Sequence, residues 1–263
     1  MTDEALFQPR NQSGFLPTAA AVGPWDPSIV HGAAVAALFA GQLAPTDSTL
    51  ARLTIEILAP VPFTLLHLER SELAGGTRVR RQDATLNADG RTVATARAVV
   101  VRQGTIDLPD KALAQDSPFD PGAVPTLGEP NRAARDRVGW ESFDSRSIIV
   151  EQMKVSGDHR THMWIKLAVP VIQETEIRAV EVAAIAADYA QAAVGRQLPY
   201  ASWSFRNAEL TLHFARRPTG SWVGMRCESV VHTGGAGFNC ADLFDVSGRM
   251  GRSAAALVVE HRG

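Results

Sequence analysis

The 263-residue chain is poor in the features that tie proteins to membranes, nucleic acids or the extracellular space. Cysteine is almost missing. Cys227 and Cys240 are too few for a disulfide-stapled secreted scaffold, and no C-x-x-C spacing suggests a metal site. They read as two reduced thiols of a cytoplasmic protein. No run of eighteen apolar residues exists, so no transmembrane helix is expected. The opening Met1-Thr2-Asp3-Glu4 lacks the basic and apolar stretches of a secretory signal. The net charge of −2 leaves no electrostatic footprint for nucleic acid or an anionic membrane. The chain also lacks a G-x-S-x-G nucleophile elbow, a P-loop and a G-x-G-x-x-G fingerprint, which disfavours a serine hydrolase and the common nucleotide-binding folds.

What remains is ordinary globular composition, 45% hydrophobic and 21% charged, arranged with a long internal period. Leu53 to Leu58 (LTIEIL) reads like Leu210 to Ala215 (LTLHFA) at an offset of 157 residues. Gly75-Gly76 is echoed by Gly234-Gly235 at 159, and Gly90-Arg91 by Gly248-Arg249 at 158. Ala96 to Val101 is echoed by Ala254 to Val259, again at 158. Four matches in one order at nearly one offset point to duplication of a small fold.

Each copy begins with an Ala-rich apolar run, His31 to Gly41 or Ala179 to Val194, predicted as a mostly buried helix stopped by Gly41 or Gly195. Extended segments precede each run: Phe15 to Val22 in one copy, Ser147 to Ser156 with His162 to Val169 in the other. Three or four antiparallel strands follow, punctuated by Gly75-Gly76 and Ala88-Asp89-Gly90, or by Thr233-Gly234-Gly235 and Val246-Ser247-Gly248. Between the copies, Pro109, Pro118, Pro121, Pro125 and Pro130 predict a meandering linker, because proline neither donates to a ladder nor continues a helix. The predicted organisation is a unit at 1–104, a linker at 105–137 and a second unit at 138–263. The fold class is α+β, one helix wrapped by a curved antiparallel sheet in each unit.

Several phrases resemble a known family, the double-hotdog acyl-CoA thioesterases of the bacterial thioesterase II type, over roughly Phe15 to Glu260. His31-Gly32-Ala33 is similar to the family's HGG phrase at the start of the first helix. Arg160 to Lys166 (RTHMWIK) resembles the strand leading into the second hotdog. Ala186-Ala187-Asp188-Tyr189 resembles the helix motif with the catalytic Asp, and His213 to Pro218 resembles the phrase ending in Arg-Pro. The resemblance implies hydrolysis of fatty acyl-CoA by water that an Asp activates. It also implies no cofactor and a homo-oligomer, and no metal is expected because no carboxylate or cysteine spacing completes a site around His159 and His162.

On that resemblance Asp188 is the expected base. Asp is a poor mid-helix residue, and burial in an apolar run would raise its pKa. Glu181, Asp188 and Gln191 also share a helical face and could be an ordinary polar stripe. The family places Thr or Ser on the next strand; a count back from Pro218 lands on Ala208, and a slip of one gives Asn207 as a polar substitute. The family's Gln on the last strand has no counterpart, because Ser253 to Leu257 reads SAAAL. Binding of acyl-CoA without catalysis is therefore an alternative. Asp26-x4-His31 is the spacing of hotdog enoyl-CoA hydratases, the other alternative, although Asp26 or Ser28 as a helix cap explains it too. His31, Gly32, Arg216 and Arg217 are the candidate substrate contacts. The backbone N–H groups near His31-Gly32, or those at the second helix's N-terminus, would meet the thioester oxygen and the arginines the phosphates of CoA, or the arginines and Arg78-Arg80-Arg81 are solvated edge charges.

Overall fold

A computed structural model of the chain describes residues 4–73, 75–112, 119, 125, 138–155 and 160–262. Its strands form one twelve-stranded sheet in which every neighbouring pair is antiparallel. The first six are β1 (Phe7–Pro9), β2 (Gly14–Pro17), β3 (Ser48–Ile57), β4 (Leu66–Leu73), β5 (Val79–Ala88) and β6 (Arg91–Arg102). The second six are β7 (Ile148–Val155), β8 (Thr161–Leu167), β9 (Trp203–Phe214), β10 (Trp222–Val231), β11 (Ala236–Asp245) and β12 (Gly248–His261). Their order is β1-β2-β4-β5-β6-β3-β9-β12-β11-β10-β8-β7, so adding six to each label of one half gives the other half in mirror sequence about the β3–β9 junction. At that junction Thr54 lies opposite Thr211, and their hydroxyls are 3.1 Å apart across 157 residues. Both β3 and β9 carry a bulge, at Ala51 and Ala208, which are also 157 apart.

The turns follow the chemistry of their residues. Asp89 and Gly90 both take positive φ (49° and 76°) in the tight β5–β6 hairpin, where Gly has no Cβ to clash. The prolines of the predicted linker, other than Pro109 and Pro125, lie outside the described residues.

Among the described residues two helices lie against the sheet, α1 (Gly32–Leu43) and α3 (Ala179–Tyr189), and a single turn, α2 (Phe143–Arg146), precedes β7. In α1 nine of twelve residues are buried, and in α3 all but the first. Nearly all-apolar helices can be accommodated only by packing on several sides. They pack on the sheet and on each other, antiparallel, with Gly32 against Asp188 and Gly41 against Glu181.

Two helix ends depart from expectation. Gly41 does not stop α1, which continues to Leu43; a Cβ at Gly41 would overlap the Glu181 carboxylate, so the glycine serves close helix approach. The second helix is shorter than predicted. It tightens after Tyr189 into a 3-10 segment, Ala190–Arg196, and Gly195 lies within that segment facing the Tyr200 ring. The C-terminal end of α1 is held by Arg178, whose guanidinium donates to the carbonyls of Gly41 (2.5 Å) and Ala44 (2.7 Å).

Candidate active site

The site forms where the N-terminus of α1 meets the C-terminal end of α3 and the bulge of β9. His31 is itself the N-cap of α1. Its Nδ1 accepts the N–H of Ala33 at 2.9 Å and its carbonyl accepts those of Ala34 and Val35. The expectation that Asp26 or Ser28 caps this helix is thus replaced by the imidazole. Asp26 instead folds back on its own turn, accepting both the N–H and the hydroxyl of Ser28 at 2.7 Å. It is exposed and does not line the pocket that contains His31, so the Asp26–His31 pairing needed for hydration is not formed.

Asp188 is 5% exposed, and each carboxylate oxygen has a different environment. Oδ1 accepts from Asn207 Nδ2 at 2.9 Å, and the same amide group also donates to the Asp188 carbonyl at 3.0 Å. Oδ2 is buried, lies 3.7 Å from His31 Nδ1, and makes no hydrogen bond among the described residues. Gly32 makes the approach possible, since a Cβ there would come within 3.1 Å of Oδ1. Burial raises the Asp188 pKa, helped by the Asp144 charge and opposed by His31 and by the Asn207 hydrogen bond.

Asn207 reaches Asp188 because of the bulge. Inward-facing residues of β9 are Phe205 and Asn207 before Ala208, then Leu210, Leu212 and Phe214 after it. The extra residue shifts the phase of the strand, so a polar side chain can face the helices without turning the leucines outward. Asn207 is oriented in turn by Asn239 of β11, which is fully buried and donates to Asn207 Oδ1 at 3.1 Å. The strand between them, β12, offers only small side chains at Ala254 to Ala256.

A second carboxylate, Asp144 of α2, was not legible in the sequence. Its Oδ1 lies 3.5 Å from His31 Nε2, too long for a strong hydrogen bond but close enough for charge interaction, and Phe143 packs on the imidazole at 4.7 Å between ring centres. The backbone delivers it: the N–H of His31 donates to the carbonyl of Ala21, and that of Phe143 to the carbonyl of the next residue, Val22. For His31, burial lowers the pKa, but Asp144 and then Asp188 outweigh it and the net shift is upward. With Nδ1 accepting from Ala33, a neutral His31 carries its proton on Nε2, toward Asp144.

A cavity of about 290 Å³ opens beside this cluster. Its walls are largely apolar, from Trp25, Ile29, Val30, Ile57, Val61 and Val258, and its polar lining includes His31, Asp188, Gln191 and Asn207. Arg206 also lines it and pairs with Glu260.

The structure therefore brings together His31, Gly32, Asp188 and Asn207, and leaves Arg216 and Arg217 elsewhere. Arg216 holds the buried Asp245 through two contacts of 2.6 Å, and Arg217 donates to the carbonyl of Thr46. Neither lines the Asp188 pocket.

Comparison with known proteins gives the class of enzyme this arrangement belongs to. The model of the acyl-CoA thioesterase C-terminal domain matches residues 109–258, more than half of the chain. The chain belongs to that acyl-CoA thioesterase family, whose members hydrolyse thioesters. A provisionally assigned thioesterase from Novosphingobium aromaticivorans superposes with a TM-score of 0.70 at 18% identity, covering 96% of this chain and 98% of its own. A provisionally assigned thioesterase II from Thermobifida fusca has a TM-score of 0.70 at 16% identity, covering 97% and 95%. A conserved protein with a hotdog fold from Alicyclobacillus acidocaldarius has a TM-score of 0.64 at 14% identity, with the same coverages of 97% and 95%. At these identities the structures establish the fold, an α+β hotdog. No curated protein matches the sequence significantly. Among the described residues no helix is long and apolar enough to cross a membrane.

Proposed function

We propose that Asp188 is the general base for thioester hydrolysis and that the adjoining cavity admits the fatty acyl end of acyl-CoA. The observation that carries this reading is the asymmetry of the Asp188 carboxylate. One oxygen is anchored by Asn207, and the other is buried with no protein partner among the described residues, on a residue that borders the cavity. A base must be held still yet keep a lone pair for the proton it takes. In the reaction Oδ2 accepts a proton from water while the water oxygen bonds to the thioester carbonyl carbon, and the carbonyl π pair moves onto oxygen. Collapse of that oxyanion expels the thiolate of CoA, which takes up the proton that Asp188 removed from water, and leaves the fatty acid with Asp188 again ionised.

The developing oxyanion needs a fixed donor. At the start of α1 the Ala33 amide is taken by His31 Nδ1 and those of Ala34 and Val35 by the His31 carbonyl. The Gly32 N–H, at the cavity wall and at the positive end of the helix dipole, is left to serve. His31 and Asp144 behind it set the local charge.

The same reading treats the chain as a double hotdog, with units at 1–104 and 138–263 joined by 105–137. The mirrored strand order, the Thr54–Thr211 pair and the two bulges support this. We place it in the cytoplasm, in fatty acid metabolism and as a homo-oligomer, as the family resemblance implies.

The test is release of free CoA from a series running from butyryl- to stearoyl-CoA by wild type and Asp188→Ala. A fall of about a hundredfold or more is expected for loss of a general base. Equal activity in both proteins, or binding of acyl-CoA with no release by either, would remove Asp188 from the reaction.

A further inference from the structure

We propose that Gln191 holds the hydrolytic water together with Asp188, supplying the amide contact that β12 does not. The proposal rests on the reading of Asp188 as the base.

Gln191 follows Asp188 by three residues, in the 3-10 segment that begins at Ala190. Asp188 lies in the last turn of α3, and residues three apart are neighbours on the face of an α- or a 3-10 helix, so both side chains emerge on one side of the chain. Both line the same cavity. Gln191 is 7% exposed, and its Oε1 is buried with no hydrogen-bond partner among the described residues. Asp188 Oδ2 is in the same condition. A buried acceptor left unpaired is costly, and two of them on residues bordering one cavity call for a partner. Two acceptors on residues bordering one cavity are matched by a species with two donors, and water is the smallest such species.

The consequence for the reaction follows from counting protons. A water that donates one hydrogen to Asp188 Oδ2 and the other to Gln191 Oε1 has both hydrogens directed at the protein. Its lone pairs then face the cavity, where the thioester carbon arrives. The hydrogen on the Asp188 side is transferred when the new C–O bond forms, and the one on the Gln191 side stays with the oxygen in the carboxylic acid product. Ala254 to Ala256 of β12 have no side-chain group for this task.

A structural role is separable from this one. The Gln191 Oε1 has no hydrogen-bond partner among the described residues, so a methionine of similar length would satisfy the packing and remove an unpaired acceptor. The experiment compares wild type, Asp188→Ala, Gln191→Met, Gln191→Ala and Gln191→Glu, reading thiol release from the best acyl-CoA substrate and thermal midpoints. Expected are a fall in kcat of about ten- to a hundredfold in the Met and Ala variants, KM within about twofold of wild type, and a thermal midpoint in Gln191→Met no lower than wild type. In Gln191→Glu a second carboxylate beside Asp188 should move the acid limb of the pH profile upward. Wild-type kcat in both Gln191→Met and Gln191→Ala with loss in Asp188→Ala overturns this inference and leaves the base in place. A rise in KM alone, or an unmoved acid limb, likewise overturns it. Wild type and Asp188→Ala behaving alike overturns the base and this inference together.

Discussion

Raising the pH through the neutral range should weaken the fold through one carboxylate, and Glu181→Gln should remove that effect. Glu181 stands in the first turn of α3, 4% exposed, against Gly41 of α1, and its Oε2 accepts the N–H of Arg178 at 2.9 Å. Burial lifts its pKa from an ordinary 4.5 to about 7, against the opposing pull of the Arg178 N–H and charge. The Arg178 guanidinium does little more because it is committed to the carbonyls of Gly41 and Ala44.

The direction follows from linkage. A folded-state pKa above the unfolded one gives stability that is complete below about pH 4.5 and is lost as the pH rises through about 7. At about 1.4 kcal/mol per pH unit, the gap corresponds to about 3 kcal/mol between the two extremes. The amide introduced by Glu181→Gln would keep an acceptor for the Arg178 N–H without the charge. Urea denaturation of wild type and variant side by side at pH 5, 6, 7 and 8 checks this, because Asp188 and His31 titrate in both proteins and cancel in the difference. The variant should gain on wild type by up to about 3 kcal/mol across the series. Stabilities that run parallel from pH 5 to 8, or a variant that loses ground as pH rises, would refute the reasoning.

Gly32→Ala places a Cβ about 3.1 Å from Asp188 Oδ1, so kcat/KM should drop about tenfold while the thermal midpoint holds, alanine being the better helix former. Asn207→Leu removes two hydrogen bonds to Asp188; a loss of about 1–3 kcal/mol in urea and at least about tenfold in kcat is expected. In Asp144→Asn the His31 ring, followed by NMR, should titrate at lower pH than in wild type, since Asp144 is the main influence holding its pKa up against burial. Arg178→Met should cost about 1–2 kcal/mol by freeing two carbonyls at the end of α1, and leave kcat untouched.

Much of the architecture is legible because matching phrases occur twice in the sequence. The offset of 157 between matching phrases is the separation of Thr54 and Thr211, which meet at the junction of the halves. Hairpin glycines and the apolar character of the helices were legible for the same reason, that local chemistry determines them. Gly41 was misread as a stop because a glycine required for contact with a distant helix looks like one required for a cap. Ala208 explains the ambiguity over Asn207: a bulge inserts one residue, so a strict count and the true inward position differ by one. Asp144 and Asn239 left no signal, since their neighbours in the site lie more than a hundred residues away for one and across a strand for the other. Arg216 looked like a phosphate contact because a surface arginine and one neutralised by a buried carboxylate read identically in sequence.

Arg178 also bears on how many substrates one chain handles. It holds the position at the start of α3 that His31 holds at the start of α1, and Gly41 and Leu50 stand where Asp188 and Asn207 stand in the other half. A cavity of about 190 Å³ does remain there, lined by Leu50, Arg178, Ala179, Arg217 and Pro218, but it has no carboxylate. The guanidinium that fastens α1 stands where the other half has the His31 imidazole. If Asp188 marks the reacting compartment, as proposed, titration with a non-hydrolysable acyl-CoA should saturate at one equivalent per chain.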